Sequence, residues 1–107
     1  MLYIVALTYI RPPEDIQAHL DAHRHWLAHH IQAGRILAAG PNADKSGGIV
    51  LASCTSRSEL DTMMADDPFV TQGLVAVSVQ GFEPAIRADA LAARWASAAA
   101  VVCVQPA

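Results

Sequence analysis

The stretch GRILAAGPNADKSGGIVLASC, residues 34–54, decides the fold because it holds two apolar runs separated by a polar turn. The first run covers residues 36–39 and ends at a Gly-Pro pair, and the second covers residues 49–54 after the turn at residues 42–48. Short apolar runs bounded by glycine, proline and polar residues are typical of strands. The stretch therefore predicts two strands that form a hairpin with a long loop.

A helix is predicted on each side of this hairpin. The segment at residues 13–33 begins with proline, which the first helical turn tolerates, and is followed by a glycine that favours a left-handed stop. After the hairpin, Ser56 and Glu59 form a capping-box signature for a second helix, which runs to the Asp-Pro pair at residues 67–68. One further short turn is predicted at residues 69–73.

Strands are also predicted at both outer positions. Residues 2–10 are rich in β-branched and aromatic side chains, and Val75, Val77 and Val79 alternate with smaller or polar residues. The resulting βαββαβ order is the ferredoxin-like split βαβ arrangement, in which both helices cover one face of an antiparallel sheet. The sequence therefore predicts an α+β domain at residues 1–84.

The other face of such a sheet needs a cover. Only the alanine-rich segment at residues 85–107 remains, and we expect it to be a helical C-terminal extension that takes part in oligomer contacts. Face-to-face packing of the sheets of two subunits is the economical way to cover this face. The sequence thus predicts a homodimer, and assembly into a higher homo-oligomer stays open.

Composition disfavours several classes of function. The 107 residues make one domain with formal net charge -3, and the seven Lys and Arg residues are scattered, which does not indicate nucleic-acid binding. No apolar run reaches the roughly 20 residues that cross a bilayer, and the two cysteines form no CxxC pattern. GxGxxG, Walker and GxSxG motifs do not occur. We expect a cytoplasmic protein with free thiols and no membrane or nucleic-acid partner.

Five histidines lie in the first predicted helix, and their angular positions separate them. At about 100° per residue, the predicted core stripe consists of Ile16, Leu20, Leu27 and Ile31. His23 falls at the edge of this stripe, where burial and a carboxylate neighbour can tune its ionisation. His25 and His29 point away and are expected to be solvated. On spacing alone, a hydrogen-bonded core histidine stays open as the alternative for His23.

Two histidines of the first helix have the spacing of a helical metal pair. His19 and His23 are four residues apart, as in helical zinc pairs, but HExxH is absent because Leu20, Asp21 and Ala22 lie between them. A zinc site also needs a third protein ligand. The sequence therefore predicts no metal site.

Three segments together resemble the YciI-like (YCII-related) family. They are the Ala22-His23 pair in the first helix, GRILAAGP at residues 34–41, and ADDPFV at residues 65–70 with a glycine before the last strand. The resemblance covers residues 1–84 and leaves the C-terminal segment outside. It implies a dimeric α+β barrel.

The resemblance also implies an active-site pair. In the family, a histidine on the first helix pairs with an aspartate before proline, and these match His23 and Asp67. Asp67 has a structural alternative, since an aspartate at this place can simply cap the turn that follows. Many family members carry an arginine a few residues before the histidine, where this chain has Leu20 and Asp21. Arg24 is not an automatic substitute.

A pair of His23 and Asp67 suits general acid–base chemistry. A neutral imidazole whose other nitrogen donates to the carboxylate is a general base of fixed tautomer, able to take a proton from a small carbonyl or phenolic compound. This predicts lyase or isomerase chemistry with no organic cofactor or metal. The pocket is expected between the first helix and the sheet, and the predicted substrate-binding residues are Leu7, Tyr9, Ile36, Ser53 and Phe69.

The alternative is a non-catalytic dimer that binds a small metabolite or serves as an interaction module. In that case the histidine and the aspartate are paired for structure. Solvent access discriminates the two hypotheses, because a catalytic pair faces a cavity whereas a structural pair is sealed by neighbours such as Leu27 and Met63.

Overall fold

The predicted βαββαβ order is present in the structure, a computed structural model that describes residues 1–106. In chain order the elements are β1 Leu2–Tyr9, α1 Pro13–Ala18, α2 Leu20–Gln32, β2 Ile36–Pro41, β3 Gly47–Ser53, α3 Arg57–Ala65, α4 Pro68–Thr71, β4 Val75–Phe82, β5 Ile86–Ala88 and β6 Ala100–Val102. Strands β1 to β4 form one antiparallel sheet in the order β2-β3-β1-β4. The α+β class with an antiparallel sheet is confirmed.

The two faces of this sheet differ in burial. On β1, Val5 and Leu7 are 0% and 3% exposed, whereas Ile4 is 40% exposed. Successive strand residues point to opposite faces, so the helices cover the face that carries Val5. Val50 of β3 lies directly opposite Val5 in the sheet and is also buried. The core therefore lies between this face and the helices.

The helix predicted at residues 13–33 is divided into α1 and α2 at His19, where φ is −113° and ψ is 6°. The backbone N–H of His19 donates to the carbonyl of Ile16 instead of reaching back four residues. Its ring Nδ1 donates to the Asp15 carbonyl oxygen at 3.0 Å, which satisfies an acceptor at the break. Gly34 follows α2 with φ of 80°, the left-handed conformation predicted for the stop.

The buried face of α2 differs from the predicted stripe. Its buried residues are His23, Trp26 and His30, whereas Ile31 is 46% exposed. At about 100° per residue, His30 and Trp26 lie about 20° and about 60° from His23 on one side, whereas Ile31 lies about 80° away on the other side. The prediction that Ile31 is a core residue is therefore wrong. The predicted stripe was defined by aliphatic residues only. The buried face is centred on His23, Trp26 and His30, so the predicted centre was displaced around the helix.

The segment after residue 84 differs from the expected helix. It contains β5 and β6, which pair in parallel, and one 3-10 turn at Ala93–Trp95. The strands include the β-branched residues Ile86 and Val101, which favour extended backbone over helix. Trp95 reaches back to the end of α2, where its ring meets Gly34. Across residues 1–106, no helix has both the length and the apolar character needed to cross a membrane.

Ile36 and Ile31 form a matched pair that tests where the core lies. Ile36 is 1% exposed and Ile31 is 46% exposed. We expect Ile36→Ala to lower the free energy of unfolding by about 2–5 kcal/mol, because the change leaves a cavity in the core. Ile31→Ala should lower it by less than about 1 kcal/mol. Urea unfolding of both variants measures the difference, and equal losses would contradict this assignment of the core.

Candidate active site

His23 and Asp67 are joined by a buried hydrogen bond between α2 and the start of α4. His23 Nδ1 donates to Asp67 Oδ1 at 2.7 Å, although the two residues are 44 positions apart in the chain. A length of this kind is typical of bonds in which one partner is charged. His23 is 8% exposed and Asp67 is fully buried. The pair that the resemblance implies is therefore present in the fold.

Asp67 is held in place by the backbone of α4. It is the N-cap residue, and its Oδ1 also accepts from the backbone N–H of Phe69 at 3.0 Å. Pro68 occupies the first helical position, where a missing N–H leaves no donor unsatisfied. Asp67 Oδ2 has no hydrogen-bond partner among residues 1–106. One carboxylate oxygen therefore serves both the cap and the histidine, so the capping role and the pairing coexist.

The imidazole of His23 is held by aromatic rings as well as by the carboxylate. The Phe69 ring stacks on it with centroids 4.0 Å apart and planes 5° apart, and Trp26 lies on α2 at a centroid distance of 5.9 Å. Because Asp67 accepts at Nδ1, the neutral ring carries its proton there and leaves Nε2 as the free acceptor. Within the described chain Nε2 has no protein partner and keeps contact with solvent.

A cavity of about 470 Å³ lies between α2 and the sheet, and His23 forms part of its wall. Leu7 of β1, Leu27 of α2 and Phe69 of α4 contribute apolar side chains to the lining. About 10% of the His23 side chain stays exposed, whereas the Asp67 side chain behind it is fully buried. The volume suits one small ring compound, with the imidazole able to reach it.

Three of the predicted substrate-binding residues, Leu7, Tyr9 and Phe69, line this cavity. Ile36 lies outside the lining because it is buried in the core at the start of β2. The residues of β2 that line the cavity come from the other end of the strand, at residues 39–41. Ser53 also lies outside the lining. It sits at the end of β3, and strand alternation directs it to the face away from the helices.

Other residues of the lining were not assigned to the site from sequence. Leu20 and Leu27 were expected only in the core, and Arg24 was not given a role, yet all three line the cavity. Arg24 follows His23 on α2, about 100° further round, on the side of the two leucines. The helical spacing could therefore have identified Arg24 as a lining residue, because it places Arg24 on the same side of the helix as Leu20 and Leu27. Strand β2 also runs to Pro41, beyond its predicted end, and brings Gly40 and Pro41 to the lining.

Other reactive side chains lie apart from this cavity. Burial and the charge of Arg35 lower the pKa of His30, which accepts a hydrogen bond from Arg35 Nε at 3.0 Å.

Burial raises the pKa of the Cys54 thiol to about 11, so this thiol stays protonated at neutral pH. Cys54 and Cys103 are both free cysteines. Residues 1–106 contain no group of three His, Cys, Asp or Glu side chains placed to hold a metal ion.

Comparison with known proteins adds a family and a fold. The sequence profile of the YCII-related domain matches residues 1–82. The 5-chloro-2-hydroxyhydroquinone dehydrochlorinase of Burkholderia phenoliruptrix, solved in complex with 2,5-dihydroxybenzoquinone, is similar with a TM-score of 0.59 and 23% identity, over 78% of this chain and 95% of that chain. An antibiotic biosynthesis monooxygenase is similar with a TM-score of 0.52 and 18% identity, over 78% of this chain and 100% of that chain. No curated protein sequence matches. At these identities the likeness shows the fold.

We expect neutral His23 to carry its proton on Nδ1, because Asp67 accepts there. Long-range proton–nitrogen NMR spectra of labelled protein report which ring nitrogen is protonated. In Asp67→Ala the acceptor is lost, and the Nε2–H form should become populated at His23 while the spectrum of exposed His25 stays unchanged. An Nε2–H tautomer of His23 in the unsubstituted protein would show that the hydrogen bond to Asp67 does not form in solution.

Proposed function

The chain belongs to the family of the YCII-related domain, and on that premise we propose that it is a small-molecule enzyme in which His23 and Asp67 carry out general acid–base chemistry. The proposed reaction is of lyase or isomerase type, and the proposed substrate is a small carbonyl or phenolic compound. One observation carries the proposal. An imidazole that is hydrogen-bonded to a buried carboxylate lies in the wall of a largely apolar cavity.

In this mechanism Nε2 of His23 is the base. Asp67 keeps the proton on Nδ1, so the lone pair of Nε2 is available to a compound in the cavity. Nε2 takes a proton from a carbon or hydroxyl of the substrate, and the positive charge that develops on the imidazole is stabilised by the Asp67 carboxylate. The imidazolium then returns the proton to another substrate atom, as in an isomerisation, or to a leaving group, as in an elimination.

The ligand of the similar dehydrochlorinase offers a first probe. That enzyme was solved with 2,5-dihydroxybenzoquinone, a single hydroxylated ring. A compound of this size is compatible with a cavity of about 470 Å³. Phe69 and Tyr9 add aromatic surface to the lining, against which a planar ring can pack.

The second candidate is a non-catalytic dimer that binds a small metabolite. The observation that favours it is the capping of α4, because that hydrogen bond gives Asp67 a structural reason to be where it is. Both candidates place a ligand in the same cavity. They differ in whether His23 moves a proton of that ligand.

Hydrogen–deuterium exchange at ligand carbon atoms separates the two candidates. The protein is incubated in D2O with 2,5-dihydroxybenzoquinone and a panel of small cyclic ketones and hydroquinones, and exchange is followed by NMR. We expect catalysed exchange in at least one compound, and a loss of about 10²–10⁴-fold in His23→Gln, because the base is removed. Asp67→Asn should also lower the rate, since the amide can keep the cap but has no charge to stabilise the imidazolium.

His25→Gln is the matched control, because it removes an exposed imidazole two positions away on the same helix. Its exchange rate should equal that of the unsubstituted protein. Binding of the panel without exchange, or exchange that is equal in His23→Gln, would show that the chain is a binding module or that another group is the base.

We also propose that the chain works as a homodimer through the face of the sheet that its own helices leave uncovered. Ile4 and Phe82 on this face are 40% and 44% exposed, and Leu51 beside Ile4 is half-buried. These apolar side chains form a surface that the sheet of a second copy can cover. Val102 and Ile86, 55% and 70% exposed, support a contact between copies for residues 85–107 as well.

A single charged residue tests this interface. Ile4→Lys places an ammonium group at the centre of the proposed contact, and we expect it to convert the dimer to a monomer in light scattering coupled to size exclusion. Ile31→Lys, at a residue 46% exposed on the helix side, should leave the dimer intact. The proposed interface would be contradicted if the unsubstituted protein is a monomer, or if the dimers of Ile4→Lys and Ile31→Lys are equally stable.

A further inference from the structure

Among the described residues that line the cavity, the exposed Arg24 carries the one fixed positive charge, and we infer that the ligand of this cavity carries a carboxylate that Arg24 binds. The inference deepens the proposed function and rests on it, because it concerns the same cavity. It names the substrate class more narrowly, as a small ring compound that bears a carboxylate. Three observations carry it, namely the ionisable groups of the lining, the free donors of Arg24 and its place beside His23.

The ionisable side chains in the described lining are those of Tyr9, His23 and Arg24. The other lining residues are aliphatic or aromatic side chains, glycine and proline, and the lining includes no carboxylate. The Asp67 carboxylate lies behind His23, fully buried and already bonded to it. A guanidinium group is charged at every physiological pH, so the cavity wall is positive when His23 is neutral.

Arg24 differs from the other arginines in having no partner. Within residues 1–106, its side chain takes part in no hydrogen bond, salt bridge or stacking contact with another residue. Each remaining arginine has one, and these residues are Arg11, Arg35, Arg57, Arg87 and Arg94. The five N–H donors of Arg24 are therefore all available to a ligand, in a planar fork that matches a carboxylate.

The position of Arg24 lets one small ligand reach both functional groups. Arg24 and His23 are consecutive on α2, and both line the same cavity. A ring whose carboxylate binds Arg24 is anchored at one edge, and its reacting carbon or hydroxyl is then presented to Nε2 of His23. Such anchoring reduces the orientations that the substrate samples, which is a main source of rate enhancement.

The lining favours a carboxylate over a phosphate group. A phosphate dianion calls for several positive or N–H donors, whereas this lining offers one guanidinium beside an imidazole that is neutral when it acts as a base. The apolar remainder of the wall suits a ring rather than a second charged group. A monoanionic ring compound thus matches both the charge and the surface of the cavity.

Two ligands of nearly the same shape, one anionic and one neutral, test this inference. We would measure the dissociation constants of 2,5-dihydroxybenzoate and 2,5-dihydroxybenzamide from NMR shifts of residues that line the cavity. The acid should bind about fivefold more tightly than the amide, the size expected for an ion pair at a solvent-accessible arginine. Arg24→Gln should abolish this preference, and Arg24→Lys should retain part of it because the charge remains without the fork.

Arg57→Gln is the matched control, because it removes the same charge from an arginine on α3 that lies outside the cavity lining. The preference for the acid should persist in this variant. Equal affinities for the two ligands, a preference that survives Arg24→Gln, or no binding of either ligand at the cavity would each overturn the inference.

The test of ligand preference and the exchange experiment can fail independently of each other. His23→Gln abolishes exchange if His23 is the base, but it leaves Arg24 in place, so the preference for the acid should remain. A chain that prefers the acid through Arg24 and catalyses no exchange would be an anion-binding module. A chain that catalyses exchange without preferring the acid would be an enzyme of neutral substrates.

Discussion

The site depends on one buried hydrogen bond, between His23 Nδ1 and Asp67 Oδ1. A carboxylate that is removed from water is strongly destabilising unless donors compensate it, and here the donors are His23 and the backbone N–H of Phe69. The same two bonds fix the start of α4, and α4 then holds the Phe69 ring flat against the imidazole. The position, tautomer and stacking of His23 therefore follow from one carboxylate oxygen, and the same oxygen links α2 to α4.

The sheet determines where the cavity beside His23 opens. Along β1, Val5 is sealed in the core, whereas Leu7, two positions further on the same face, reaches the cavity. Leu7 lies opposite Gly48 in β3, a residue with no side chain to fill the space. Gly47 beside it is required by packing, because a Cβ there would fall 1.8 Å from the Leu7 carbonyl oxygen. Small residues at this end of the hairpin thus leave room between sheet and helix at the level of His23.

Local signals in the sequence were sufficient for the order of elements. The Ser56 cap, whose hydroxyl accepts from the Glu59 backbone N–H at 3.1 Å, forms as its signature predicts, because capping involves only neighbouring residues. Sites that depend on contacts between distant segments were harder to predict. Ser53 was predicted to lie in the pocket, but it faces the side of β3 opposite to the buried Val50, and only the packing of the helices determines which side holds the cavity. The pairing of His23 with Asp67 came from resemblance, since no spacing rule connects residues 44 positions apart.

The composition of the lining limits the chemistry that the chain itself can supply. Among its described residues, His23 and Tyr9 are the side chains that can transfer a proton, and Arg24 supplies fixed charge. Under the proposed function, the compound must bring its own carbonyl or phenolic system, because a proton is removed efficiently from carbon only when the resulting negative charge is delocalised. If Arg24 binds a carboxylate as we infer, that carboxylate and the π system that accepts the charge are two parts of one small ring compound. In the proposed mechanism, orientation of that ring by Arg24 is the protein's main contribution to rate, and the stack of Phe69 on His23 keeps the imidazole in a fixed place beside it.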